Sequence, residues 1–453
     1  MSDQILHLND KFTIRNKKQG FGTCLLAKDL LVSSNDILNK LIITIGQAIN
    51  ILLATIILLS SLVGCSALPR NHAVPENDAA RASLPGLEDV RYVVGNPNDM
   101  ARLARDIADT WPRERSWYKE QGKSYGQLPP SHLLALSGGG DKGAFGAGLL
   151  NGWTTSGKRP EFLLVTGIST GALIAPFAFL GPKYDTHLKQ LYTNTRSKDL
   201  IELRSFLAAL TNDHVADTAP LRKLLATYIN QAFLDEIAVE YRKGRELWIS
   251  TTNLDARRRV IWNMTKLANS KDPRALSLFQ DIMIASAAIP GAFPPVLIEV
   301  EVDGKRYHEM HVDGGAMAQV FVYPPDIHLA ELSADNGGQR ERVLHVVMNA
   351  RIDPDWAETE RRALSIASRA ITSMINTQGI GDLYRVYLTA ERDNVAFNLA
   401  HIPSDFNHPH HEEFDNEFMR VLYARGYAYA TSGEAWHTQP PGFETEHPKA
   451  ARP

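Results

Sequence analysis

The chain has 453 residues, of which 22% are charged and 44% hydrophobic, with a formal net charge of −3. That length allows one large α/β domain or two smaller ones with a substantial core. The near-neutral balance, with no long basic run, gives no nucleic-acid footprint. The only cysteines, Cys24 and Cys65, lie near the N-terminus, which excludes a disulfide, a cysteine nucleophile and a Cys-based zinc site from the rest of the chain.

Residues 1–40 are polar, with lysines at positions 11, 17, 18, 28 and 40, and residues 41–62 carry no charge. The apolar run ends in Leu62-Val63-Gly64-Cys65-Ser66. A basic flank, a short apolar core and small residues at a cut site describe a secretory signal. The stretch resembles the lipobox of bacterial lipoproteins, which implies a signal peptide over 1–64 and acylation of Cys65 as the mature N-terminus. Ser66 in place of Asp resembles the pattern sent on to an outer membrane, facing the periplasm or the exterior. The competing reading is a retained transmembrane anchor. As a helix, residues 41–62 reach the ~30 Å of a bilayer core, although Gln47 and Asn50 interrupt the first half. Either reading makes a membrane surface a partner through the N-terminal anchor. Residues 65–89, with Pro69, Pro75 and Pro85, read as a flexible tether. Residues 90–130 read as a helical preface, with Leu103, Ile107 and Trp111 at helical spacing.

The main domain is expected over 131–437. A short apolar strand, His132 to Leu136, runs into Ser137-Gly138-Gly139-Gly140-Asp141-Lys142-Gly143, and Ala144 to Trp153 reads as a helix. Such a loop exposes backbone N–H groups at a helix start, ready to hold negative charge. Gly138, Gly140 and Gly143 satisfy the spacing of a dinucleotide fingerprint, but the second strand ends without the acid that would hold a ribose. A phosphate loop fails as well, because Ala144 and Phe145 follow Gly143 instead of Lys and Ser or Thr. The remaining use is an oxyanion hole, in which one donor is worth ~3 kcal/mol of barrier.

The second strand, Phe162 to Val165, enters Gly167-Ile168-Ser169-Thr170-Gly171 and then an apolar helix. This fits G-x-S-x-G, the sharp strand-to-helix turn that presents a serine hydroxyl above a sheet, and makes Ser169 the candidate nucleophile. Thr186–Leu210 and Pro220–Tyr241 have helical spacing, the second with Thr218 as cap. Arg245–Thr251 and Arg259–Trp262 read as paired strands, and Ala275–Ala288 as a helix. Asp303-Gly304 suits a type I′ turn between Val296–Val302 and Lys305–Val312. That second hairpin strand ends in Asp313-Gly314-Gly315, an acid able to take the Ser169 proton. Val343–Met348 is a further buried strand. Trp356–Glu391 reads as one or two amphipathic helices with Leu364, Ile371, Met374 and Ile375 on a stripe. Met374, Leu383 and Tyr387 read as core, with a border to an acyl pocket as the alternative. Asn394–Ile402 closes the sheet, Phe414–Tyr429 is a last helix, and 438–453 is a disordered tail. The alternation of strand and helix argues for a three-layer α/β/α sandwich with a mostly parallel central sheet.

In this order, Gly138-Gly139-Gly140-Asp141-Lys142-Gly143, Gly167-Ile168-Ser169-Thr170-Gly171 and Asp313-Gly314-Gly315 resemble the motifs of the patatin-like phospholipase family. Ala285 to Pro295 resembles the segment ahead of its Asp block. The resemblance implies hydrolysis of acyl esters of phospholipids or related lipids by a Ser–Asp dyad, with Ser169 as nucleophile and Asp313 as base. It implies an oxyanion hole around Gly138, Gly139 and Gly140, supported by Lys142, Gly143, Gly167, Gly171, Gly314 and Gly315. Lys142 positions that loop or meets a phosphate headgroup. No cofactor and no metal are expected, and the sequence points to no protein partner. A thioesterase or acyltransferase on the same dyad, or a non-catalytic lipid-binding lipoprotein, are the alternatives. His311 would face the same side as Asp313 as a third catalytic member, against a packing role. His408, His410 and His411, beside Glu412 and Glu413, read as a solvated loop against a metal site.

Overall fold

The computed structural model describes residues 39–55, 70–123, 127–196, 202–203, 216–353, 356 and 358–443. Cys65, the lipobox around it and most of the tail lie outside the described residues. The chain divides into two units, Met1–Ala67 and Leu68–Pro453. In the first, residues 39–55 form a helix (α1) that exposes Leu41, Ile42, Ile43 and Ile51 to water. Among the described residues no helix is long and apolar enough to cross a membrane.

The second unit is built on a nine-stranded sheet with the strands β1 (Arg91–Val93), β2 (Ser131–Leu136), β3 (Phe162–Gly167), β6 (Glu246–Asn253), β7 (Arg258–Asn263), β8 (Val296–Val302), β9 (Lys305–Asp313), β10 (Arg342–Met348) and β11 (Ala396–His401). β4 (Glu202–Leu203) and β5 (Ala216–Asp217) pair separately. β6, β3, β2, β10 and β11 run parallel in that order. On the far side of β6 the pairing turns antiparallel, to β7 and then β1, and also to β9 and β8. Alternate side chains of β2 enter different cores, Leu134 and Leu136 on one face, Leu133 and Ala135 on the other, as a period of two requires in a strand covered on both sides.

The first face is covered by α3 (Gly143–Thr155), α4 (Thr170–Leu180), α5 (Asp185–Thr193), α6 (Ala219–Tyr228), α7 (Gln231–Arg242), α8 (Met264–Asn269), α9 (Ala275–Ala287) and α12 (Asn416–Ser432). The second is covered by α2 (Pro97–Glu120), α10 (Leu329–Asp335) and the last turns of α11 (Ala363–Arg392). The result is the expected α/β/α sandwich with a mostly parallel sheet. α3 and α12 cross with their backbones in contact: a Cβ at Gly148, Gly152 or Gly426 would overlap the carbonyl oxygen of Tyr423, Tyr427 or Phe145.

Several sequence expectations change. Residues 70–89 are not a free tether: Arg70 pairs with Asp255 at 2.8 Å, Ser83 bridges to Glu301, and Leu84 and Leu87 are buried in the core. The helical preface begins with a strand, β1, that extends the sheet next to β7. Pro220–Tyr241 is two helices, because the chain breaks at Ile229 and restarts with Asn230, whose side chain accepts from the Phe233 N–H at 3.1 Å. Thr218 makes no side-chain cap bond. The Ile371–Met374–Ile375 stripe is exposed and enters no core, whereas Leu383 and Tyr387, further along α11, are buried. The Asp303-Gly304 turn is as expected, both residues having positive φ (50° and 76°).

Candidate active site

Ser169 stands at the C-terminal end of β3 with φ 55° and ψ −126°, a backbone conformation costly for a residue with a side chain. The turn is held in place. The Ser169 N–H donates to Ser286 Oγ at 3.1 Å, and the Ser286 hydroxyl donates to the Ser250 carbonyl at 2.8 Å. Gly171 is required by close approach, since a Cβ there would stand 2.6 Å from the Ser137 carbonyl oxygen. Ser169 is 7% exposed.

Asp313 arrives from the other direction. β9 pairs antiparallel with β6, Thr251 opposite Asp313, so the carboxyl is delivered by the sheet ladder beside the parallel strand that neighbours β3. The Asp313 N–H donates to the Ala288 carbonyl at 2.9 Å, and its Oδ1 accepts from the Gly315 N–H at 2.6 Å. Burial, the dominant influence, raises the Asp313 pKa to about 7, against the lowering effect of the nearby Ser169 hydroxyl and the Gly315 N–H. A carboxylate with that pKa is matched to taking and returning a proton near neutrality.

The glycine loop lies directly against the serine: a Cβ at Gly138 would be 3.2 Å from Ser169 Cβ. The Gly138 N–H donates to the Gln319 carbonyl at 3.0 Å, so it is already spent and is removed from the expected oxyanion donors. Among the described residues the N–H groups of Gly139 and Gly140 have no partner. Their φ values, 152° and 59°, are ones that only glycine adopts readily. A Cβ at Gly139 would also come 2.8 Å from Asn349 Cβ. Asn349 anchors the loop: its N–H donates to Ser137 Oγ at 2.8 Å and its Nδ2 to the Ser137 carbonyl at 2.9 Å. Its Oδ1 accepts from the Gly146 N–H at 3.0 Å.

Sequence reading missed Asn349, Ser286 and Gln319. An amide directly after the buried β10 was a usable signal for the first; nothing local marks the other two. Gln319 joins the loops, with its Nε2 donating to the Gly315 carbonyl at 2.8 Å and its N–H to Asp382 on α11 at 2.7 Å.

Lys142 is half-buried on the glycine loop, within electrostatic reach of Glu413. Its neighbour Asp141 is buried and accepts from His410 Nε2 at 2.7 Å and the Phe414 N–H at 3.0 Å. The histidine cluster is thereby tied to the loop through His410. Among the described residues no group of three His, Cys, Asp or Glu is placed to hold a metal. His311 is fully buried and bonds to Thr251 Oγ1 at 2.8 Å and Glu309 at 3.0 Å, not to Asp313. Glu309 in turn is paired with Arg91 of β1, and the arginine and His311 hold its pKa down at about 2 despite burial.

The family model described as Patatin-like phospholipase fits residues 134–325, from β2 to just beyond the Asp313 loop. That match supports a lipid acyl hydrolase. More closely, residues 134–325 are similar to the patatin-like phospholipase family. No curated protein matches the sequence. Among solved structures, it is similar to VipD from Legionella pneumophila with 13% identity and a TM-score of 0.33, covering 68% of each chain. It is similar to the type III effector protein ExoU with 14% identity and a TM-score of 0.28, covering 68% of this chain and 53% of that one. The matched part thus spans about half the length of ExoU.

Proposed function

We propose that the chain hydrolyses fatty-acyl esters of phospholipids or related lipids through an acyl-Ser169 intermediate. Asp313 takes the Ser169 proton as the oxygen bonds to the ester carbonyl carbon. The charge that develops on the carbonyl oxygen is received by the N–H groups of Gly139 and Gly140. Collapse breaks the carbon–oxygen bond to the alcohol, which leaves with the proton from Asp313. A water then gives its proton to Asp313 and attacks the acyl carbon, and Ser169 recovers the proton as the fatty acid departs. The observation that carries this reading is a serine on a strained turn, near enough to a buried carboxyl to influence its pKa of about 7. Mass spectrometry of lipid products from wild type, Ser169→Ala and Asp313→Asn, with fluorophosphonate labelling, tests it. Acyl release and labelling lost in Ser169→Ala are expected. Undiminished hydrolysis in that variant would overturn it.

We also propose that the N-terminal segment holds the enzyme at a membrane, as a lipoprotein acylated on Cys65. The exposed apolar residues of α1 favour a lipid-facing leader. Palmitate incorporation abolished by Cys65→Ala is the expected result; no label in the wild type would refute it.

A further inference from the structure

Among the described residues, no side chain from the first half of α11 joins a core cluster. Residues 370–377 are all exposed, so the helix leaves the body of the domain there. Residues 363–377 measure about 22 Å along the axis. At 100° per residue, the apolar positions 363, 364, 366, 367, 370, 371, 374 and 375 fall on one half of the circumference, which they share only with Thr377, and the serines, Thr372, Asn376 and Arg369 fall on the other. Ile366, Ile371, Met374 and Ile375 are 50%, 57%, 71% and 40% exposed. Four large apolar side chains on one free helical face are unfavourable in water.

The helix runs on from this half to the residues that support the site. The projecting half ends at Gly379, where a Cβ would lie 3.4 Å from Gln319 Cγ, and Gln319 links the glycine loop to the Asp313 loop. Ile289 and Met317, both 41% exposed, flank the Asp313 loop: the Asp313 N–H donates to the Ala288 carbonyl, and Met317 follows Gly315-Ala316. Apolar surface therefore gathers at the mouth of a site whose substrates reside in bilayers.

We propose that the 363–377 half of α11 is an interfacial helix that inserts its apolar face into a lipid surface and so presents the site to the membrane. The choice of a lipid surface rests on the lipid-hydrolase reading. Arg369 is the only charge among these fifteen positions, so attachment depends on apolar insertion into loosely packed lipid and not on anionic headgroups. This attachment is separate from the N-terminal anchor.

The test uses the full chain carrying Ser169→Ala, with small and large phosphatidylcholine vesicles, followed by hydrogen–deuterium exchange. Peptides from 363–377 are expected to exchange at least tenfold more slowly with small vesicles, with less protection on large ones and little change on raising salt. Adding Ile371→Ser, Met374→Ser and Ile375→Ser should abolish that protection. In the catalytically intact chain, the same three substitutions should lower the ratio of vesicle-lipid to monomeric-ester turnover at least tenfold. Because Ser169→Ala is silent in turnover, protection reports docking alone, and failure of the hydrolase reading leaves this result standing. Protection elsewhere with none at 363–377, protection that grows with protein concentration without vesicles (a second copy as partner), or protection lost in salt would each overturn the proposal.

Discussion

Asp313→Asn should stabilise the protein, and increasingly so as pH rises. Folding buries the Asp313 carboxyl and moves its pKa from 3.8 to about 7. Between those values the folded chain holds a proton that the unfolded chain has released, so stability falls as pH increases and the penalty is complete above about pH 7. The amide has no charge to desolvate, and its oxygen can still accept from the Gly315 N–H. At ~1.36 kcal/mol per unit, the interval from roughly pH 5 to pH 7 is worth about 3 kcal/mol as an upper bound, since hydration of the site would reduce it. The assay is urea unfolding of wild type and variant at roughly pH 5 and pH 8, comparing only the difference between the two proteins. The variant's advantage should grow by about 2–3 kcal/mol toward alkaline pH. A difference that is constant with pH, or that shrinks, refutes the assignment of a desolvated, proton-holding carboxyl to this position.

Turnover of a soluble ester should rise about tenfold per pH unit below about 7 and level off above it, because only ionised Asp313 can accept the serine proton; a flat profile across that range would contradict its role as base. Gly139→Ala should lower kcat by ~10²-fold or more, since its φ of 152° and the nearby Asn349 both reject a Cβ. Circular dichroism should show the variant folded. Arg91→Met strands Glu309 in the core without its cation and should cost ~3–5 kcal/mol, read as a lowered urea midpoint. If that substitution is neutral, the buried pair is not structural.

What could be read from sequence is what the backbone dictates locally. Glycines on both sides of Ser169, three before Asp141 and an Asp-Gly between two strands each encode a turn within a few residues, and all three turns formed. The alternating and continuous apolar runs likewise encoded the parallel strands. Contacts between remote segments were not legible. Arg91 looked like part of a helical preface because the acid that draws it into a strand, Glu309, lies 218 positions away. Gly138 looked like an oxyanion donor because its acceptor, the Gln319 carbonyl, carries no side-chain signature. The α11 stripe has the spacing of a core helix; only the fold reveals that its apolar side chains are exposed.

The crossing of α3 with α12 has a consequence in time. α3 begins where the glycine loop ends, and the helix that grips its backbone is synthesised after every described strand of the sheet. A ribosome-bound chain that already displays its serine and its aspartate still lacks the final brace for the cradle between them. Full assembly of the site therefore waits on a helix translated after every described strand of the sheet.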